Sequence, residues 1–236
     1  MSEGPAFSEP LLPGRGDSDY ERYLRTDELL ALQKGPAEWV HRDELLFQTV
    51  HQSSELWLKL ASVELEEATR LIEAQDPDAA LRLLRRALGC VGLVTEALDM
   101  LEHLSPWEYR EVRKVLGHGS GFDSPGFRRL SAATPPLGLA FEALLARGGL
   151  TLGRLYVEPA GREQLYQLAE LLIEWDERMV LWRVRHFLVV ERVIGGSAIG
   201  TQGTPVEVLG GLIHKRFFPA LWSLRNELTA RPLAQQ

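Results

Sequence analysis

Two histidines and an arginine carry the chemistry that this sequence can offer. His51 sits in the series Phe47, His51, Ser54, Leu58, Ala61, Leu65, Ala68 and Ile72, whose steps alternate four and three. His186 sits in Leu165, Leu168, Leu172, Trp175, Met179, Trp182, His186, Val189 and Val193, a series apolar at eight of its nine positions. Such alternation is the spacing of one stripe on a helix. An imidazole on an inward stripe needs either a hydrogen-bond partner or a metal. One such histidine reads most simply as a satisfied core residue. Two long helices that each turn one imidazole inward bring the two readings level. Arg113 lies one turn after Tyr109, and a helix-borne arginine can clamp a carboxylate bidentately. Two glycine-rich stretches, 117–126 and 195–205, complete the set. The first lacks the Gly-Lys-Ser/Thr ending of a phosphate loop. The small residues of the second leave backbone N–H groups free for an anion, or make it a plain linker between helices.

Several chemistries are missing. There is no Cys or His cluster at zinc spacing, no His-Glu-x-x-His and no Gly-x-Ser-x-Gly elbow. Glu-x-x-His occurs once, Glu38 to His41, whereas a di-iron bundle needs two on separate helices. Cys90 is the only cysteine and sits among small and apolar residues, which makes it a core thiol rather than a nucleophile. His41, His103, His118 and His214 read as surface or structural, with His118 placed nearest the chemistry in the first glycine loop. What remains is a haem or small-ligand site in a helical bundle. A wide apolar interior with one inward histidine near a helix end suits a haem, and a single imidazole leaves the sixth iron position open.

The elements that must position these groups are helices. The chain has 236 residues, 45 % of them hydrophobic and 25 % charged, as in an ordinary globular protein. A net charge of −7 and the lack of a basic stripe argue against nucleic acid as a partner. No apolar run reaches membrane-spanning length and no signal peptide is legible, so the cytoplasm is the expected compartment. Residues 1–18, rich in Pro, Gly and Ser, are expected to be a flexible arm before one helical domain over 19–236. The segment after the arm puts Tyr20, Tyr23 and Leu24 on one face if helical, and Gly35-Pro36 ends it. A long helix is predicted from about Asp43 to Ala74. Asp76 as N-cap with Pro77 at the first helical position opens the next. Ser105-Pro106-Trp107-Glu108 is a capping box that opens a short helix failing at Gly117. Pro135-Pro136 and Gly148-Gly149 bracket a short helix around Leu139 to Ala146. Leu152 to Gly161 reads as loop with a weak strand signal at Leu155-Tyr156-Val157. A long helix from Leu165 to Gly195 and a last one from Val206 to Leu228 follow. The fold class is an all-α, single-domain bundle.

The ordered motifs resemble a known family. The run Asp43 to Lys59, with His51-Gln52 followed by Glu55-Leu56-Trp57 and Lys59, is similar to the signature of the tryptophan 2,3-dioxygenases. Tyr20-x-x-Tyr23-Leu24, Ser105-Pro106 through Gly121-Phe122, Trp182-Arg183-x-x-His186 through Gly195, and Phe217-Phe218-Pro219-x-Leu221-Trp222 resemble further family segments in the same order. Residues 130–165 are generic and short for the family. The resemblance implies a bundle enclosing a b-type haem. It implies His186 as the axial iron ligand and His51 on the distal side near the indole N–H, as acid–base group or hydrogen-bond partner. Phe47 would pack on the indole, and Arg113 would pair with the substrate carboxylate. Tyr109, Leu116 and Gly121 would line the pocket. Tyr20, Tyr23 and Leu24 would reach a neighbouring subunit's site within a homotetramer.

One stretch departs from the family pattern. Where the family reads Gly-Thr-Gly-Gly, this chain reads Gly200-Thr201-Gln202-Gly203-Thr204-Pro205, one residue longer counted from His186. Thr201 best matches the family threonine that contacts the substrate's amino-acid end. Three functions follow from the resemblance. The first is a dioxygenase that opens the indole C2–C3 bond of L-tryptophan with O2, giving an N-formylkynurenine without any reductant. The second is a monooxygenase of a modified tryptophan, such as a β-methyl derivative, in natural-product biosynthesis. It would give a 2-oxindole or hydroxylated product and need an external reductant. The third is a haem- or indole-binding sensor without turnover.

Overall fold

The computed structural model describes residues 9–230; the first eight positions of the expected arm lie outside them. Within Glu9–Asp17 the chain folds back on the first helix. Asp19 accepts from the Leu12 amide at 2.7 Å, and Arg22 donates to the carbonyls of Leu12 and Gly16 at 2.6 and 3.0 Å. Ser18 caps helix α1, Asp19–Leu24, by accepting from the Glu21 amide at 3.2 Å. Arg25, with φ of 55°, breaks the chain between α1 and α2, Thr26–Leu30.

Next come α3, Glu44–Glu73, and α4, Pro77–Leu101, close to their predicted bounds. Asp76 caps α4 through the Ala79 amide at 3.1 Å, with Pro77 in the first turn as expected. The predicted capping box also holds: Ser105 accepts from the Glu108 amide at 3.3 Å, and Glu108 accepts from the Ser105 amide at 2.7 Å. It opens α5, Pro106–Arg113, which continues as turns to Gly117. A single 3-10 turn, Gly121–Asp123, precedes α6, Pro125–Arg147.

Three expectations fail here. Pro135 and Pro136 do not open a short helix, because they lie inside α6. Each removes one helical N–H and frees a carbonyl four residues earlier. Those carbonyls belong to Ser131 and Ala132, which are exposed, so the freed acceptors face the solvent side of the helix. The weak strand signal is overridden by α7, Leu152–Val157. Thr151 caps it through the Arg154 amide at 3.2 Å, and buried Leu155 anchors it. The predicted last helix is two: α9, Glu207–Leu212, and α10, Pro219–Ala230, follow α8, Glu163–Ile194.

The break before α10 has an identifiable cause. Asp176 on α8 is fully buried. Its carboxylate accepts from the Phe217 amide at 2.7 Å, and from the Phe218 amide and the Trp222 indole at 3.0 Å each. A carboxylate at the start of a helix satisfies its orphan amides and opposes its dipole.

Among the described residues the only β pairing is the isolated Ile199–Pro205 bridge, so the class is all-α. No described helix is long and apolar enough to cross a membrane. Helix α3 packs against α4 and α6, and α4 against α8. Their shared core runs from Leu58 and Leu65 through Leu84 and Leu137 to Leu172 and Trp175. A second, smaller cluster joins Val50, Leu98, Leu101, Leu104, Val189 and Val193 at the other end. The histidines lie at this smaller cluster.

Gly126 sets the α3–α6 approach. A Cβ there would stand 2.6 Å from Glu55 Oε2 and 2.7 Å from Leu58 Cβ. Leu58 is fixed on α3, so the helices would have to separate. Gly126→Ala is expected to cost about 1–3 kcal/mol by overpacking. A urea unfolding midpoint within error of the wild type would refute this close packing.

Candidate functional site

Both histidine stripes are buried along most of their length and open where the imidazoles lie. On α3, Leu58 through Ile72 are buried while Phe47 and Ser54 are half-buried and His51 is exposed. On α8, Leu168 through Met179 and then Val189 and Val193 are buried, while Trp182 and His186 are half-buried. The packing therefore opens between the two cores, at the level of the two imidazoles.

The two rings are near enough for the charge of His51 to act on His186. Burial is the main cause that pushes the His186 imidazole down to about 4, with His51 adding to it. His186 is therefore neutral at neutral pH, with a nitrogen lone pair to give. The Trp182 ring stacks on it at 5.2 Å and 10°, and the Phe127 ring lies 4.0 Å from that of Trp182. Part of the His51 ring meets solvent, yet it lies deep enough that desolvation dominates and lowers its pKa too, against the charge of Glu55. Depth combined with access is what a cleft wall shows.

The tautomer of His51 follows from its contact. Nδ1 lies 2.7 Å from the Phe47 carbonyl one turn earlier. A carbonyl only accepts, so Nδ1 carries the proton in the neutral ring. Nε2 is then left as an acceptor. The Phe47 ring lies 4.1 Å from the His51 ring and 6.0 Å from that of Tyr109. Burial raises the Tyr109 phenol pKa, opposed by the charge of Arg113. Phe47, Tyr109 and Trp182 all pack on the smaller core.

The two glycine-rich stretches meet above this wall. Arg113 donates through Nη2 to the Ile199 carbonyl at 2.6 Å. Thr201 donates its hydroxyl to the Gly119 carbonyl at 2.5 Å. Gln202 donates to Asp123 Oδ2 at 2.7 Å. Leu116 is half-buried, and its carbonyl accepts from the Gly119 amide at 2.9 Å. Gly121 opens the 3-10 turn. Phe47, His51, Tyr109, Arg113, Leu116, Gly121, Thr201 and His186 thus belong to one end of the bundle. Tyr20, Tyr23 and Leu24 do not join them: they are 68 %, 77 % and 45 % exposed on α1.

Two site-holding carboxylates escaped the sequence reading. Glu55 accepts from the Ser124 hydroxyl and from the Gly126 amide, the latter at 2.8 Å, and so ties α3 to the start of α6. Its place one turn after His51 was the available signal. Glu44 is buried and accepts from Lys34 and from the Val40 amide, at 3.0 Å for the latter, which fixes the 31–43 segment on α3. His41, Asp43 and Glu108 also converge, all half-buried. Glu108 is spent on its capping box and Asp43 lies beside Arg42, so the group reads as a clamp between segments.

The residues fit a haem. His186 offers a neutral ring nitrogen that makes no hydrogen bond among the described residues, and Trp182 Nε1 is buried with no partner. The surrounding surface is apolar and aromatic.

Comparison with known proteins identifies relatives of the chain. The family model for tryptophan 2,3-dioxygenase matches residues 12–134, more than half of the chain. A tryptophan 2,3-dioxygenase from Caulobacter vibrioides is 34 % identical, over 90 % of this chain and 99 % of its own length. One from Myxococcus xanthus is 31 % identical, over 97 % and 98 %. One from Bacillus cereus is 34 % identical, over 89 % and 92 %.

Proposed function

We propose that this chain, which belongs to the tryptophan 2,3-dioxygenase family, is a haem-dependent oxygenase that opens the indole C2–C3 bond of L-tryptophan with both atoms of O2. Haem b, held through His186, would supply the iron that binds O2. The chain's own residues do the rest. His51, with Nδ1 committed to Phe47, presents Nε2 as acceptor to the indole N–H and fixes where C2 and C3 lie. Phe47 packs on the indole. Arg113 pairs with the carboxylate, and Tyr109, Leu116 and Gly121 close the pocket around the side chain. Thr201, whose proton goes to Gly119, keeps lone pairs to accept from the substrate ammonium. Tyr20, Tyr23 and Leu24 of one protomer cover the site of its neighbour in a homotetramer. Their exposure on α1 leaves them free to meet a neighbouring protomer, which supports that reading. The product is an N-formylkynurenine, the reaction is redox-neutral, and no reductant is consumed.

The observation that carries this reading is the pairing of two neutral imidazoles across one cleft, one with an acceptor nitrogen and one with an unpartnered ring. The relatives are named dioxygenases, which does not favour the monooxygenase alternative or the sensor. The test is product mass spectrometry with haem-loaded protein, L-tryptophan and ¹⁸O2 in the absence of reductant. Two labelled oxygens in a ring-opened product are expected. One labelled oxygen on an intact ring, with dependence on added reductant or peroxide, overturns the assignment. In the same assay Arg113→Ala is expected to raise KM for tryptophan by about 10–100-fold, the range for a lost charged hydrogen bond. An unchanged KM would remove the carboxylate clamp.

A further inference from the structure

We propose that Gln202 and Asp123 form a latch that holds Arg113 ready for a carboxylate, which makes Gln202 a positioning residue for substrate recognition; this rests on the function proposed above. The argument begins with what holds the 195–205 loop in place. Its base is anchored, because Val206 is buried and its amide donates to the Ala198 carbonyl at 3.2 Å. Its tip turns on itself through Gly203 N–H to Gly200 O at 3.0 Å and Gly200 N–H to Thr204 O at 2.9 Å. The tip is little buried, with Ile199 59 % exposed and Gln202 and Gly203 exposed as well. Its position over residues 113–123 therefore depends on the three hydrogen bonds from Arg113, Thr201 and Gln202.

Of the two bonds that the loop itself donates, the one from Gln202 has the ionised acceptor and is the stronger type. The acceptor is also rigid. Asp123 Oδ2 takes the Ser120 amide at 3.0 Å as the cap of the 3-10 turn, so the carboxylate cannot follow a loop that drifts. Gln202 thus fastens the tip to a fixed point. With the tip fastened, the Ile199 carbonyl stands 2.6 Å from Arg113 Nη2 and takes one of its donors. The remaining guanidinium N–H groups are held in one direction. A long flexible side chain ordered before binding does not lose that freedom when the ligand arrives. If the latch opens, only a fraction of molecules presents the clamp, and the apparent affinity falls by that fraction. The effect reaches only ligands that use the clamp or the Thr201 hydroxyl on the same tip.

That restriction gives the test. Haem-loaded protein is titrated calorimetrically with L-tryptophan and with 3-methylindole, which keeps the ring but has neither carboxylate nor amine. Gln202→Ala is expected to weaken tryptophan about three- to tenfold, as for one exposed hydrogen bond, and to leave 3-methylindole unchanged. KM for tryptophan should rise by the same factor at unchanged kcat. Amide hydrogen exchange over 199–204 should speed up in the variant without any ligand. Asp123→Asn, which keeps an acceptor oxygen, should lose less than Gln202→Ala. Equal weakening of both ligands would make Gln202 merely structural and overturn the proposal, as would unchanged exchange over 199–204. If the wild-type protein binds no tryptophan, the functional reading falls, and the carboxylate role of the latch falls with it.

Discussion

His186→Ala will purify without a Soret band while keeping its helical circular dichroism. His186 is half-buried between the buried stretches of the α8 stripe, so its loss takes away the proposed ligand and leaves those stretches intact. Added imidazole, which can enter the cleft, should restore part of the haem absorbance. Acidity gives an independent readout on haem-free protein. Burial holds the folded-state pKa of His186 near 4, against 6.5 for the free side chain. Between those values the unfolded chain binds the proton and the folded chain does not, so unfolding gains free energy as pH falls. Stability should therefore decline from about pH 6.5 to about pH 4, and the decline should be shallower in His186→Ala. His51, also lowered, leaves a residual slope. Full haem occupancy in His186→Ala would refute the ligand assignment.

The second large effect lies away from the cleft. Asp176→Ala removes the one group that accepts from the Phe217 and Phe218 amides and the Trp222 indole. Buried donors left without partners cost far more than the bonds had gained. A loss of about 3–5 kcal/mol is expected, or roughly 10–15 °C in Tm for a chain of this size. Asp176→Asn should fall between the two, since its amide keeps one acceptor and turns a donor toward donors. Trp222 fluorescence should shift with the transition. A melting temperature within a degree of wild type in Asp176→Ala would mean that α10 is held by its apolar face alone.

Both effects show what the bare sequence could and could not convey. The stripes of α3 and α8 were readable because a helix repeats every 3.6 residues and burial follows that repeat. The caps at Asp76 and Ser105 were readable because each acts within three residues of itself. The split between α9 and α10 was not, because the carboxylate responsible stands about forty residues earlier on another helix. The prolines of α6 pointed the wrong way for a similar reason. Their effect depends on whether the freed carbonyls meet water, which is a matter of which face they occupy. The site residues on helices came from local pattern plus family likeness. The bonds that join Arg113, Thr201 and Gln202 to their partners link two glycine loops some eighty residues apart, and no local pattern encodes them.

Helix α8 also governs where this chain can change in length. It carries Asp176 and His186 on one unbroken rod, the first pinning α10 and the second facing the cleft. Adding or deleting one residue between them would rotate one against the other by about 100°. Either the cap or the proposed ligand would then face the wrong way. The alignment with the Caulobacter vibrioides protein spans 263 positions, more than the 236 residues of this chain, so segments of that relative have no counterpart here. Length differences of that kind are compatible with the shared chemistry only where they fall between helices. The rod acts as a ruler, and the connections around it are where a lineage can shorten the protein without moving its two fixed marks.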